Sequence, residues 1–547
     1  MANTFKKIVA LLLGAMLLLG LLAGCSGEEI PEQQIGEDGQ SNTIIISYSP
    51  SGYNYSWVEK LIETFNETYK DKGIQAVLQL RDGGYIEQEL KLGPEKNDID
   101  IYFANNMSLD NLLDYSKKVM RNDTDPLLAP LDDVFNSPAI GADGKEETRT
   151  IGERLMPGYE VYYRYSGKIE KWHGQIFALT SQSGIEGVIM NPSVLAKAGI
   201  TKMPNTSDEL IACMDTVYQK GVVEGGGYYP YTWAGANAPG YWGALYDYWF
   251  IQQIGVDAWN DFCATKPASG DVINDGWQVY DNIAIQKALE PMRELLHLDY
   301  SADGSVNATH IEAQHVLAVG EAAMMVTGDW LQEEMELEYF DEVSQCVMIK
   351  APILSSLGTE WGISDADLSK AVDLLDAGKT DAEICAAVSG LDEAEAQKLR
   401  DARNVVYGLG GRYQTVIPNY SNCVENAKLF LRFMYSEDGC RILLEESSAV
   451  PPLLCNSYEY SNPTPFVDSC IDIIDNPDAV FTALNEQISP VRAGSDMLQW
   501  SSNTFSTPNT YKALLMNEDY TAEYVWQTEL AYVKSHWSTW VAMAGLG

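Results

Sequence analysis

Apolar and polar positions alternate with two periods along this chain, and each switch of period marks a new element. Thr43-Ile44-Ile45-Ile46-Ser47-Tyr48 is a continuous β-branched run, the pattern of a strand covered on both faces. A polar loop, residues 49–56, follows. Trp57, Val58, Leu61, Ile62, Phe65 and Tyr69 then recur at helical spacing. The pattern continues with a strand over residues 74–80, a helix near 85–92 and a third strand over 99–103. Strand–helix–strand alternation implies parallel strands joined by crossover helices. In open sheets of this kind ligands sit at the carboxyl ends of the strands. The loops at residues 49–55 and 104–107 are therefore candidate site segments.

Two stretches break the pattern. Ten of the 23 residues from 228 to 250 are aromatic. Leu245, Tyr246, Trp249 and Phe250 fit one helix face. The aromatics from Tyr228 to Trp242 lie among Gly and Pro, where helix packing does not explain them. Residues 363–403 carry Asp365, Asp367, Asp373, Asp376, Asp381, Glu383, Asp392, Glu393 and Glu395 among Ala and Leu. That pattern predicts a solvated insertion of two or three helices.

The N-terminus reads as a processing signal. Lys6 and Lys7 precede an apolar run from Ile8 to Leu22 that ends in Leu21-Leu22-Ala23-Gly24-Cys25. The run is short for a membrane span, which needs ~20 residues. Its ending resembles a bacterial lipoprotein box, which implies cleavage before Cys25 and a lipid on that sulfur, with a lipid anchor on the extracellular face of the cell membrane. Residues 26–40, rich in Ser, Gly, Glu and Gln, read as a tether. The remaining chain, about 520 residues, is too long for one hydrophobic core.

A net charge of −42 excludes nucleic acid and anionic lipid surfaces as partners for the body of the protein. It also disfavours a strongly anionic ligand. Besides Cys25 there are eight cysteines, with no C-x-x-C pair; mostly buried free thiols are expected, with one or two bridges as the alternative. His173, His297, His310, His315 and His536 are too scattered for a triad. The spacing of His310 and His315 does not suit two metal ligands on a helix. Carboxylates are so common that no glycosidase pair stands out.

Several segments together resemble the extracellular solute-binding protein family 1, the sugar-binding group of ABC importers that includes maltose-binding protein. They are Gly52-Tyr53-Asn54 after the first strand, His173-Gly174-Gln175-Ile176-Phe177-Ala178-Leu179, and Val188-Ile189-Met190-Asn191-Pro192. Ala198-Gly199-Ile200 and Met203-Pro204-Asn205-Thr206-Ser207-Asp208-Glu209-Leu210 follow. Gly320-Glu321-Ala322-Ala323-Met324-Met325-Val326-Thr327-Gly328-Asp329-Trp330 is the most specific. Gly410-Gly411 with Ile417-Pro418, and the stretch from Glu425 to Met434, complete the set. Met190 and Pro192 depart from the family pattern, as does Thr180, and the acidic insertion is additional.

The resemblance implies an α/β, type II periplasmic-binding-protein-like fold: two α/β lobes, a hinge and a central ligand cleft. Residues 1–24 would be the signal and 25–41 the tether. Lobe I would comprise 42–179 and 350–437, including the insertion, and lobe II would comprise 180–349 and 438–547. Crossings are expected near 179–181, 349–352 and 436–440. The implied role is capture of an oligosaccharide by hinge closure and delivery to the permease subunits. The protein would be a monomer with no enzymatic activity, cofactor or metal. The alternatives are a non-sugar solute such as a peptide or polyamine, a secreted glycoside-active enzyme, or a surface adhesin or sensor partner.

A sugar offers apolar C–H faces and hydroxyls, so its site needs flat aromatic rings and short polar groups. The resemblance places Trp330 as a stacking platform, against the alternative of a core residue. Asp329 either accepts sugar hydroxyls or caps the next helix. Tyr231 and Trp233 match a cleft segment by order. Trp242, beside Tyr241, is a second platform or a loop core. Trp500 resembles a late cleft aromatic, and Tyr53 follows the first strand. Asn105 and Asn106 follow the third, where an amide can bond adjacent hydroxyls. Ser181 and Gln182 border the first crossing. Arg412 fits a surface ion pair better than the cleft.

Overall fold

The computed structural model describes residues 41–49, 52–81, 83–104, 107–410, 413–456, 461, 463–483, 489, 491 and 510–546. The β-branched run forms β1 (Thr43–Tyr48), every residue of it buried, as a strand covered on both faces must be. It pairs in parallel with β2 (Gln75–Leu80) and β3 (Ile101–Ala104). The helix Ser56–Tyr69 makes the first crossover and buries Trp57, Val58, Leu61, Ile62, Phe65 and Tyr69, the six residues at helical spacing. A hairpin of β4 (Pro138–Ile140) and β5 (Glu146–Thr150) decorates this body.

The chain then leaves through β6 (Leu179–Thr180) and builds a second sheet. Its strands are β7 (Glu186–Met190), β8 (Tyr229–Tyr231), β9 (Ala322–Gly328) and β10 (Val347–Ile349), in the order β10-β7-β9-β8. After β11 (Val405–Gly408), β12 (Gln414–Val416) returns antiparallel to β3 and β6. It completes a first sheet of order β2-β1-β3-β12-β6. Finally β13 (Val480–Ala483) pairs in parallel with β11. This is the expected α/β fold of two lobes, one around each large sheet.

Two pieces pack differently from the expected grouping. The insertion folds into three helices, Asp365–Asp376, Asp381–Ala387 and Glu393–Arg403, around a small core of its own that includes Leu368, Val372, Ile384 and Leu399. It is anchored to the second lobe, not the first. Asn205 Nδ2 donates to Asp373 at 2.6 Å, Thr206 Oγ1 donates to Asp365 at 2.9 Å, and buried Arg403 donates to the Ala351 carbonyl at 2.9 Å. The helix Glu437–Ser447, expected in lobe II, packs instead on the helix Ser56–Tyr69 of the first lobe. The helix Glu437–Ser447 goes where its buried stripe finds a partner, whichever crossing precedes it, whereas the insertion is held by polar contacts.

All eight cysteines among the described residues are free thiols, six of them buried. No helix of the described residues is long and apolar enough to cross a membrane. No group of three or more His, Cys, Asp or Glu among them is placed to hold a metal ion. Cys25 lies outside the described residues.

Candidate functional site

β1 and β3 run parallel and end at the same edge of the first sheet. Tyr48 and Ser49 from one, Phe103 and Ala104 from the other, line a narrow, partly open cleft there. Ser181 and Gln182, where the chain crosses between lobes, and Tyr413, just before β12, complete its lining. Ser181 Oγ donates to Gln182 Oε1 at 2.8 Å and so orients the amide. Gln182 is 1% exposed, and its Nε2 finds no hydrogen-bond partner among the described residues.

The second lobe meets this edge through the end of β9. Gly328 permits the meeting, because a Cβ there would lie 2.2 Å from the Trp330 ring, which folds back over the backbone. Gly52 faces the same indole from the first lobe at φ +68°, and a Cβ on it would stand 3.6 Å from Trp330 Cβ. Tyr53 Oη donates to Asp329 Oδ1 across the junction at 2.5 Å. Its ring meets that of Tyr413 edge to face at 5.3 Å, and Tyr241 lies 6.0 Å from Trp330. Asn54 Nδ2 donates to Glu333 Oε1, a second bond between the lobes. Tyr and Trp thus crowd both sides of one boundary, with polar tips directed into it.

Three buried carboxyls set the electrostatics of the boundary. Burial pushes the Asp329 carboxyl up to about 7, although the Tyr53 hydroxyl opposes the shift. Asp329 is 0% exposed and its Oδ2 has no hydrogen-bond partner among the described residues. Burial, helped by Glu336, raises Glu333 to about 8; burial raises Glu334 to about 7 against a bond from Gln314. Burial and the Asp329 carboxylate hold the Tyr53 and Tyr413 phenols well above their ordinary range. An unsatisfied buried carboxylate oxygen and an unsatisfied amide N–H are costly in isolation. A hydroxyl, which donates and accepts at once, satisfies both kinds of group.

Of the residues singled out from sequence, Tyr53, Ser181, Asp329 and Trp330 come together at this junction. Tyr231, Trp233 and Trp242 do not. They belong to the second lobe's core, where Tyr231 and Trp242 meet edge to face at 5.0 Å and Tyr231 Oη donates to the His297 carbonyl at 2.9 Å. β8 turns Tyr231 inward, and the Gly/Pro loop folds over that core. Asn105, Asn106 and Trp500 lie outside the described residues, as does Arg412. Tyr48, Phe103, Tyr413 and Glu333 were missed. Tyr48 and Phe103 carry a legible signal, since each sits at the carboxyl end of a buried parallel strand. Tyr413 and Glu333 carry none, because long-range packing places them.

No protein-family model matches the chain, and none of the curated proteins matches it by sequence. Solved structures match its fold along nearly its whole length. A probable secreted solute-binding lipoprotein from Streptomyces coelicolor is similar at 14% identity and a TM-score of 0.53, covering 90% of this chain and 98% of that one. A chitin oligosaccharide binding protein is similar at 13% identity and a TM-score of 0.54, covering 91% and 100%. A cyclic alpha-maltosyl-1,6-maltose binding protein from Arthrobacter globiformis is similar at 13% identity and a TM-score of 0.51, covering 91% and 99%. The fold is the type II periplasmic-binding-protein-like fold.

Proposed function

We propose that this chain is the solute-binding component of an ABC importer, of the extracellular solute-binding protein family 1. It captures an oligosaccharide between its lobes and delivers it unaltered to membrane permease subunits. The lipid at Cys25 tethers it to the extracellular face of the cell membrane. One observation carries this reading: Trp330 and Asp329 of the second lobe stand against Gly52, Tyr53 and Tyr413 of the first, with Asp329 Oδ2 and Gln182 Nε2 unsatisfied among the described residues. A pyranose entering there stacks a C–H face on the indole and gives hydroxyls to both groups. Its entry requires the Tyr53–Asp329 and Asn54–Glu333 bonds to break and the lobes to part about the crossings, a hinge motion. The likeness to sugar-binding solute receptors supports the ligand class.

The three raised carboxyls favour a second reading, a cationic solute such as a polyamine in the same cleft. Tryptophan fluorescence titrated with neutral oligosaccharides, polyamines and short peptides separates the two. A saturable response to an oligosaccharide, with no product on prolonged incubation, is expected. A response confined to polyamines replaces the sugar, and cleavage of the oligosaccharide replaces the binding role with an enzymatic one.

A further inference from the structure

Beside the first crossing, both lobes grip one short ribbon. Val405-Val406-Tyr407 is β-branched and aromatic, as a buried strand requires, and β11 pairs in parallel with β13 in the register Val406 to Phe481 and Tyr407 to Thr482. Gly408 bridges Ile185, and the Leu409 N–H donates to the Gly184 carbonyl at 2.9 Å. The ribbon therefore lies against the segment through which the chain changes lobes.

The second lobe holds β11. Tyr407 Oη donates to Asp247 at 2.6 Å, and the Tyr407 N–H donates to Tyr248 Oη at 2.8 Å, both on the helix Trp242–Ile254. The first lobe holds β13. The Phe481 ring stacks on Tyr159 at 3.8 Å, and its N–H donates to the Pro157 carbonyl at 2.8 Å. Gly158 makes this approach possible, since at φ +89° a Cβ on it would stand 2.1 Å from the Phe481 carbonyl oxygen. The two grips converge on one atom. The Ala483 carbonyl accepts from Tyr162 Oη of the first lobe at 3.0 Å and from Trp259 Nε1 of the second at 3.2 Å. Its oxygen has two lone pairs, and each serves a different lobe. Ala483 is 1% exposed and Trp259 is 0% exposed. Neither Tyr162 nor Trp259 lines the cleft.

We propose that Tyr162 and Trp259 are positioning residues for solute capture, holding the lobes closed from the side of the crossings through the Ala483 carbonyl. This rests on the hinge closure of the proposed function. A rotation that parts Trp330 from Gly52 also moves Tyr162 relative to Trp259, and the shared oxygen then loses a donor. That loss is costly at a buried carbonyl, so the joint raises the population of the closed form. A form populated before solute arrives binds it more tightly, in proportion to that population.

The test is small-angle X-ray scattering of the full chain without ligand. Tyr162→Phe and Trp259→Phe are each expected to increase the radius of gyration over wild type. The double variant is expected to open no further than either single, because one lost bond already unties the carbonyl. Trp249→Phe, which loses a bond within the second lobe to the Pro352 carbonyl, is expected to keep the wild-type radius. Tyr162→Phe, at a half-buried ring, carries the test alone if Trp259→Phe does not fold. An unchanged radius in Tyr162→Phe overturns the proposal. So does an equal increase in Trp249→Phe, or a double variant that opens by the sum of the two singles. Silence of every oligosaccharide in the fluorescence titration removes the sugar and leaves this joint standing, because the scattering needs no ligand.

Discussion

The aromatic core of the second lobe and the junction between the lobes are built from the same residue types and do opposite things. In the core, Tyr231, Trp233, Trp242, Tyr246, Trp249 and Phe250 are enclosed by one lobe. At the junction, Tyr48, Tyr53, Tyr241, Tyr413 and Trp330 are contributed by both lobes and surround carboxylates. Aromatic density therefore does not mark the site in this chain. What marks it is the meeting of side chains from both lobes around buried carboxyls, with Tyr53 on Asp329 and Asn54 on Glu333.

The sharpest way to break this contrast is to remove a ring from each region. Trp249 is fully buried and donates to the Pro352 carbonyl at 3.0 Å. Trp249→Ala should cost about 3–5 kcal/mol of stability, read as a lower urea midpoint, with ligand affinity unchanged for the fraction that folds. Trp330→Ala, at a residue buried where the lobes meet, should lower ligand affinity as well as stability. The affinity for oligosaccharide falls ~10–100-fold, about 1.4–2.7 kcal/mol, and Trp233→Phe leaves it within about twofold by the same titration. If Trp233→Phe weakens binding as much as Trp330→Ala, the core and the junction are one site and the contrast fails.

The buried carboxyls of the junction also make its closure depend on pH. Asp329 (about 7), Glu333 (about 8) and Glu334 (about 7) are all raised by burial in the closed protein. Once the lobes part or the chain unfolds, they return toward ordinary carboxylate values near 4. Closure then takes up protons, so the closed form is favoured at low pH. Its advantage is fully present below about 4 and is lost as pH rises through 7–8. Asp100, at about 6, and Glu529, at about 7, act on folding with the same sign from within single lobes. His310, held below its ordinary range by burial, acts with the opposite sign at the acid end. The thermal midpoint should fall by several degrees between about pH 5.5 and about pH 8.5, and Glu333→Gln should flatten the profile. A profile unchanged in Glu333→Gln would remove that carboxyl from the junction.

The same contrast explains what was legible in the sequence. β1, its following helix and the three-helix insertion are set by local periodicity, and they form as the hydrophobic pattern predicts. Tyr53, Asp329 and Trp330 were legible by resemblance, because they sit in short motifs next to strands. Tyr231, Trp233 and Trp242 were placed at the cleft by their order along the chain, but which way a ring faces depends on the register of β8 against β9, which one sequence does not reveal. Glu333 and Tyr413 reach the junction only because a helix and a returning strand dock there. The attachment of the insertion to the second lobe rests on Asn205, Thr206 and Arg403, polar contacts that leave no periodic trace.

The smallest change isolates a single hydroxyl. Tyr53→Phe keeps the ring against Tyr413 and removes only the donor to Asp329 Oδ1. A buried carboxyl that loses its donor costs about 1–3 kcal/mol, and the loss falls on the closed state, since in an open protein water replaces the phenol. The Tyr53 bond is also the foremost of the interactions that oppose burial in setting the Asp329 protonation midpoint near 7. Without it, the midpoint should move upward, so that Asp329 stays protonated to higher pH. Carboxyl resonances followed by carbon-13 NMR, with Asp329→Asn to assign the signal, read this directly. An Asp329 midpoint that holds its position in Tyr53→Phe would mean that the two side chains do not meet across the junction in solution, and the lobes of the free protein stand apart.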